Sequence, residues 1–419
     1  MSVTESVRVR APRLPWLGLI VLSAGVFLSI TIEMLPTGLL PGMSEGLGVA
    51  EPFVGLLVSV FAFAVVVTSA PLTALTSRMP RHGLVVVVLA VLGLTTLASA
   101  FVPEYWMLVA IRIVAGVAHG LFWALVAAYA ARLVPAHQIG RAVSVTLGGG
   151  TLALVAGIPA TSVLGQAIGW RPVVAVVAAL TLFGAFVVWR FLPQVAAGSV
   201  ATASRFRRGD VALGPVLLVC AVTAVTMLGQ YAVFTYVAPL VTEVMDLGAG
   251  SVGPLLFVYG VAGAAGLALV GSPLARRPVP AMIGAMTLAA VALLVLGAAA
   301  GVWPSILAFT VWGVAFGAIP PLLQTRLLQA APSGHRDAAS ALYTTAFNIG
   351  IGGGALAGAV LFDTLGVQVL PFVYAALLVA VALVLSREAF GRGTGRGRRR
   401  QPASTNAAAV VGPVRPTAV

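Results

Sequence analysis

The chain has 419 residues, of which 60% are hydrophobic and 8% charged, with a mean hydropathy of +1.07, whereas a soluble domain carries about 25% charged residues. Even a large soluble domain leaves roughly a quarter of its unfolded surface in water, so this composition excludes a soluble fold and points to an all-α, multi-pass membrane protein. The net charge of +13 comes from basic residues that are all arginine; they punctuate apolar runs instead of lining a solvated, aromatic-bearing face, which excludes a nucleic-acid partner.

A membrane-crossing helix needs about 20 apolar residues. In chain order such helices are predicted near 14–40, 53–77, 83–102, 105–131, 142–166 and 171–192. A polar break with Arg205, Arg207 and Arg208 follows, then further helices near 213–240, 252–275, 281–300, 303–330, 338–362 and 366–387. The predicted organisation is therefore a basic N-terminus (1–13), a six-helix bundle (14–192), a linker (193–212), a second six-helix bundle (213–387) and a tail (388–419). The first apolar run is too long for a signal peptide and passes through Glu33 without a small-residue cleavage site. The tail is rich in Gly, Ala, Pro and Arg and is expected to be disordered, since such a composition cannot bury a core.

With the N-terminus inside, 22 of the 24 basic residues fall on the inner side, from Arg8, Arg10 and Arg13 to the tail, whereas Arg171 and six acids fall outside. That excess predicts a plasma-membrane protein with both termini cytoplasmic. The two bundles also resemble each other at a nearly constant offset. Thr37/Thr235, Pro41/Pro239, Glu45/Glu243, Gly55/Gly253 and Arg78/Arg276 lie 198 apart, and Gly116/Gly313, Gly120/Gly317 and Gly157/Gly354 lie 197 apart. An ordered run of this kind marks two copies of one bundle.

Once the loop charges are set aside, Glu33 and Arg112 remain within the membrane. A charge at the bilayer centre costs about 2.5–3.5 kcal/mol on insertion scales and marks ion or substrate pathways. Both are expected about seven residues from the outer end of their helices, or roughly 10 Å deep at 1.5 Å per residue. Their counterparts in the second copy are Tyr231 and Phe309, so one half alone carries the charges. Either the two form a buried ion pair that orients helices, or Glu33 accepts a proton and Arg112 modulates it. His119, two turns beyond Arg112 on the same face, suits a relay. The other histidines, His82, His137 and His335, lack metal-ligand spacing, and the lone Cys220 can form neither an intrachain disulfide nor a cysteine metal site.

In the first span, Glu33-Met34-Leu35-Pro36-Thr37-Gly38-Leu39-Leu40-Pro41 resembles the first-span signature of the major facilitator superfamily, within it the twelve-span drug/proton antiporters that include chloramphenicol and sugar efflux permeases. The run from Arg112 through Gly116 to Gly120 is similar to that family's membrane-embedded arginine motif, and Gly148, Gly157 and Pro159 to its antiporter motif. Two departures stand out. The loop at Ser77-Arg78-Met79-Pro80-Arg81 lacks the family's acid and glycine, leaving Arg78 and Arg81 as its gating charges, and Ile158 separates Gly157 from Pro159.

The resemblance implies a secondary active transporter, not an enzyme, with a small-molecule substrate, protons as the coupling ion and no cofactor. It also implies a monomer in the lipid bilayer, exchanging protons for small amphipathic compounds by alternating access of two six-helix bundles. Export of a sugar, nucleoside or other polar metabolite, and proton symport, fit the same scaffold. Thr37, Trp123, Gln230, Tyr231, Tyr236, Gln324 and Asn348 are the candidate cavity residues, since few polar groups among many aromatics suit flat amphipathic solutes. Gly350 and Gly354, with Gly148, Gly157 and Pro159 in the first half, are expected to pack helices closely.

Overall fold

The computed structural model describes residues 15–135, 138–195, 213–270, 278–332 and 335–397. Among them twelve helices are long and apolar enough to cross a membrane: α1 (Trp16–Leu47), α2 (Glu51–Leu75), α3 (Arg81–Ala100), α4 (Tyr105–Arg132), α5 (Arg141–Ile168), α6 (Trp170–Phe191), α7 (Leu213–Phe234), α8 (Ala249–Val270), α9 (Pro278–Gly297), α10 (Val302–Ala330), α11 (Ala338–Leu365) and α12 (Val369–Arg387). The predicted N-terminus, Arg205, Arg207 and Arg208 of the linker, Arg276, Arg277, His137 and the tail from 398 onward lie outside the described residues.

Two boundaries differ from the sequence expectation. The helical backbone of α1 runs on to Leu47, and Gly48, at a φ of +65°, supplies its left-handed cap. Glu33 therefore stands near the middle of α1 and not near its end. The final helix continues from α12 through Gly397, past the predicted start of the tail at Glu388. Helix propagation adds a backbone bond per residue whatever the side chain, so the helix outlasts its apolar run.

The two halves pack alike. In the first, α1 lies on α5, α2 on α4 and α3 on α6; in the second, α7 lies on α11, α8 on α10 and α9 on α12. Helices that are apolar all round associate in a bilayer through close packing of small residues. A Cβ on Gly116 of α4 would come 2.6 Å from Phe61 O of α2, and one on Gly313 of α10 would come 2.9 Å from Tyr259 O of α8, the same contact in each copy. Gly350 and Gly354 of α11 meet the α7 backbone at Ala224 and Leu228, and Gly157 of α5 meets Thr31 of α1. Gly148 does not pack helices: a Cβ there would meet nothing within 4 Å. Just ahead of Pro159, α5 loosens into a π turn (Ala153–Gly157), as helices do where a proline withholds its N–H.

The halves meet along α2–α11 and α5–α8. Call the end where α2 leads into α3 the termini end, and the opposite one the far end. On the α11 stripe that faces α2, Ala355 and Ala359 toward the far end are buried, Asn348 is partly exposed, and Ala341, Thr344 and Thr345 toward the termini end are exposed. The facing stripe of α2 changes likewise, from buried Gly55, Ser59 and Ala62 to partly exposed Val66, Ser69 and Thr73. At the far end Gln166 Nε2 donates to Ala249 O (2.8 Å), and the Tyr236 hydroxyl donates to Ala355 O (2.9 Å) while lying 3.4 Å from Pro52 O. The molecule is sealed at the far end and open toward the termini.

Gly260 of α8 seats the π turn of α5, with Leu154 O and Val155 Cα both 2.6 Å from where its Cβ would be. Overpacking costs about 1–3 kcal/mol, so Gly260→Val is expected to lower the thermal unfolding midpoint. It is also expected to lengthen the far-end distance between spin labels at Ala167 and Gly250, read by double electron–electron resonance; an unchanged distance contradicts the proposed seal.

Candidate functional site

The site begins with a break in α1. Met34, at φ −93° and ψ 5°, leaves the helical region and divides Trp16–Glu33 from Leu35–Leu47. Pro36 has no N–H for Ile32 O, and the Thr37 N–H turns to Met34 O (3.0 Å) instead of Glu33 O. Two carbonyls inside an apolar bundle thus lose their usual partners. Arg112 of α4 replaces them: Nη1 donates to Ile32 O (2.9 Å) and Nη2 to Glu33 O (2.8 Å). Its Nε reaches Leu57 O of α2 at 3.4 Å, and the guanidinium lies over the Phe61 ring at 4.2 Å.

The guanidinium thus binds the backbone of Glu33, and the carboxylate turns elsewhere. Glu33 Oε2 lies 3.5 Å from His119 Nε2, and His119 Nδ1 lies 2.8 Å from Ser29 Oγ. Ser29 is one turn before Glu33 on the same face of α1. Phe61 closes the other side of the imidazole at 4.9 Å, with Trp123 at 6.1 Å. Ser29, Glu33, Arg112 and His119 are all at least nine-tenths buried. Across the gap between the halves, Tyr231 of α7 lies within electrostatic reach of Glu33.

The second half keeps the address and changes the occupant. Its first helix also breaks, after Phe234, before a short Val237–Pro239 turn. Phe309 stands where Arg112 does and packs on Tyr259, the counterpart of Phe61, at 5.3 Å. Gln230 Nε2 donates to the Tyr259 hydroxyl (2.8 Å), and Trp312 Nε1 donates to Gln230 Oε1 (2.9 Å). That network is neutral and fully buried.

The remaining sequence candidates are dispersed. Gln230 has its amide occupied by Tyr259 and Trp312, and Tyr236 belongs to the far-end seal. Thr37 and its repeat counterpart Thr235 are buried at the two breaks, each with its hydroxyl unpartnered. Trp123 and Asn348 border the open gap, Gln324 is exposed on α10, and Asn348 Nδ2 donates to Thr344 O (3.0 Å). Arg78 is exposed in the α2–α3 loop, while Arg81 is buried and donates to Ser77 O (3.2 Å), clamping its own loop. Sequence reasoning missed Ser29, Phe61, Tyr259 and Trp312. The signal for two of them was present, in the 198-residue offset that pairs Phe61 with Tyr259.

Residues 22–352 and 269–415 match the family described as Major Facilitator Superfamily. The chain is 34% identical over 352 residues to a chloramphenicol efflux pump of Mycobacterium tuberculosis, covering 82% of this chain and 85% of that one. It is 28% identical over 361 residues to a probable sugar efflux transporter of Helicobacter pylori, covering 85% and 91%. In fold it is similar to a bacterial homologue of the human lysosomal transporter Spinster in an inward-facing, occupied conformation (TM-score 0.70, 16% identity, 94% of this chain and 100% of that one). The partially occluded inward-open xylose transporter XylE of E. coli is similar to the same degree (TM-score 0.70, 16% identity, 89% and 97%).

If Arg112 serves the break that Pro36 makes, the two residues are coupled. Arg112→Lys removes the forked donor, and each lost hydrogen bond to a charged group costs about 1.5–3 kcal/mol. Pro36→Ala returns an N–H to Ile32 O and is expected to recover part of the loss. Thermal unfolding of the two single variants and the double variant forms the cycle; strictly additive effects contradict the coupling.

Proposed function

Because this chain belongs to the major facilitator superfamily, we propose that it is a proton-coupled efflux transporter of small, uncharged, amphipathic compounds. The observation that carries this reading is the Glu33–His119 contact, 3.5 Å long and buried at the α1 break in one half alone. A carboxylate in a low-dielectric interior is costly unless it is protonated or paired. Rocking that brings this carboxylate to water on alternate sides lets it load and unload a proton, and so couples the proton gradient to the cycle. The inner-side arginine excess of the sequence supports placing the termini end at the cytoplasmic face of the plasma membrane, a reading on which the conformation described above is inward-facing.

The lining supports this substrate class. Toward the termini end the α11 and α2 stripes that face each other offer Thr344, Thr345, Asn348, Ser69 and Thr73, with no charged residue among them. A charged solute would have no counter-ion on these stripes, whereas hydroxyls, an amide and Trp123 suit a neutral molecule with both apolar and hydrogen-bonding parts. Chloramphenicol and sugars, named for two of the relatives, are both uncharged and hydroxylated. Sugar export is the second reading, favoured by the same row of hydroxyls.

Reconstituted vesicles with an acidic interior, offered chloramphenicol, a hexose and a nucleoside in turn, test the assignment. Gradient-driven uptake of chloramphenicol is expected; uptake of the hexose alone moves the assignment to the second reading. Glu33→Gln is expected to reduce gradient-driven uptake by at least tenfold while sparing gradient-free exchange, and undiminished uptake in that variant removes Glu33 from the coupling role.

A further inference from the structure

We infer that Ser29 is a positioning residue for the proton step: its hydroxyl holds His119 in the tautomer that presents Nε2–H to the Glu33 carboxylate. This rests on the proposed coupling role of Glu33. A neutral imidazole carries one N–H, and the partner of the opposite nitrogen decides which nitrogen has it. A serine hydroxyl can both donate and accept, so the question is which it does at Nδ1.

Its surroundings answer this. In membrane helices a serine or threonine hydroxyl ordinarily donates to the carbonyl one turn back, and here Thr31, Thr68, Ser69, Thr73, Thr96 and Ser99 all do so. Ser29 departs from the pattern. Its hydroxyl instead bonds, at 2.8 Å, a side chain on another helix, and the residue is fully buried. Donation to Nδ1 leaves the imidazole proton on Nε2, 3.5 Å from Glu33 Oε2. The charged and titratable groups around the imidazole are Glu33 on α1 and Arg112 on α4, with Tyr231 on α7 within electrostatic reach of Glu33; α2 contributes the apolar ring of Phe61.

The consequence is a fixed donor facing the proton site. While Ser29 donates, Nε2–H faces the carboxylate and favours its charged form. A carboxyl group protonated from the aqueous side keeps the contact through its carbonyl oxygen, so Glu33 loads and unloads its proton while the ring proton stays on Nε2, and nothing passes through the hydroxyl.

The test uses the full-length protein in vesicles, labelled with 15N-histidine, with the His119 signals assigned by difference from His119→Asn. The wild type is expected to show His119 with bare Nδ1 and protonated Nε2. Ser29→Ala is expected to yield mixed tautomers, and Ser29→Thr to restore one. In the same variants, Ser29→Ala is expected to move the pH of half-maximal flux by about half a unit while leaving gradient-free exchange at fixed pH intact, with Ser29→Thr again restoring it. An unchanged tautomer in Ser29→Ala overturns the inference, and so does a changed tautomer with an unmoved pH profile. Failure of the underlying coupling shows itself differently, as wild-type flux that does not respond to pH at all.

Discussion

Pro36 removes one backbone donor from the middle of a helix, and the bond that Thr37 redirects removes a second. In water the freed carbonyls of Ile32 and Glu33 would be solvated; inside an apolar bundle they need a partner from the protein. The Arg112 guanidinium is that partner, with two forked bonds of 2.9 and 2.8 Å. It ties α4 to α1 and, through Leu57 O and Phe61, to α2. With its nearest donors committed to the backbone, the Glu33 carboxylate is left to His119, and His119 to Ser29. A buried acid beside a buried imidazole follows from how a helix break was satisfied.

The second half tests this logic inside the same molecule. It too breaks its first helix, yet Phe309 fills the arginine's place and Gln230, Tyr259 and Trp312 close a neutral hydrogen-bonded set. A broken helix in this fold therefore does not by itself demand a cation. The charged version is confined to one bundle, which makes the halves unequal: one carries titratable chemistry, the other rigid aromatic packing. Close glycine contacts, such as Gly260 on the α5 π turn and Gly352 on Ala62 and Phe63, join them toward the far end, where an interface of small residues can part without unpairing charges.

Much of the fold was legible in the sequence, because spans, their number and the repeat offset all rest on composition and periodicity, which survive without coordinates. Glu33 and Arg112 were legible for the same reason, as charges in apolar runs. Their relationship was not. Spacing suggested a carboxylate–guanidinium pair at equal depth near the outer end, but the arginine chose carbonyls whose availability depends on Pro36, and α1 ran on to Leu47. Tyr236 and Gln230 looked like cavity residues because polar aromatics and amides in a span suggest a solute; three-dimensional packing sent one to the seal and the other to a buried network. Hydroxyls such as Ser29 are common in these helices and mostly bond their own backbone, so the exceptional one is visible only once its partner is in place.

The central claim is that one buried carboxylate, held beside His119, ties substrate movement to proton movement. It is tested most directly in wild-type protein reconstituted in vesicles, by setting a chloramphenicol gradient and varying an opposing pH gradient until net flux stops. Coupled exchange requires flux to reverse sign at a pH gradient fixed by the substrate gradient. Flux that runs down the chloramphenicol gradient at every pH, with no reversal, contradicts the account.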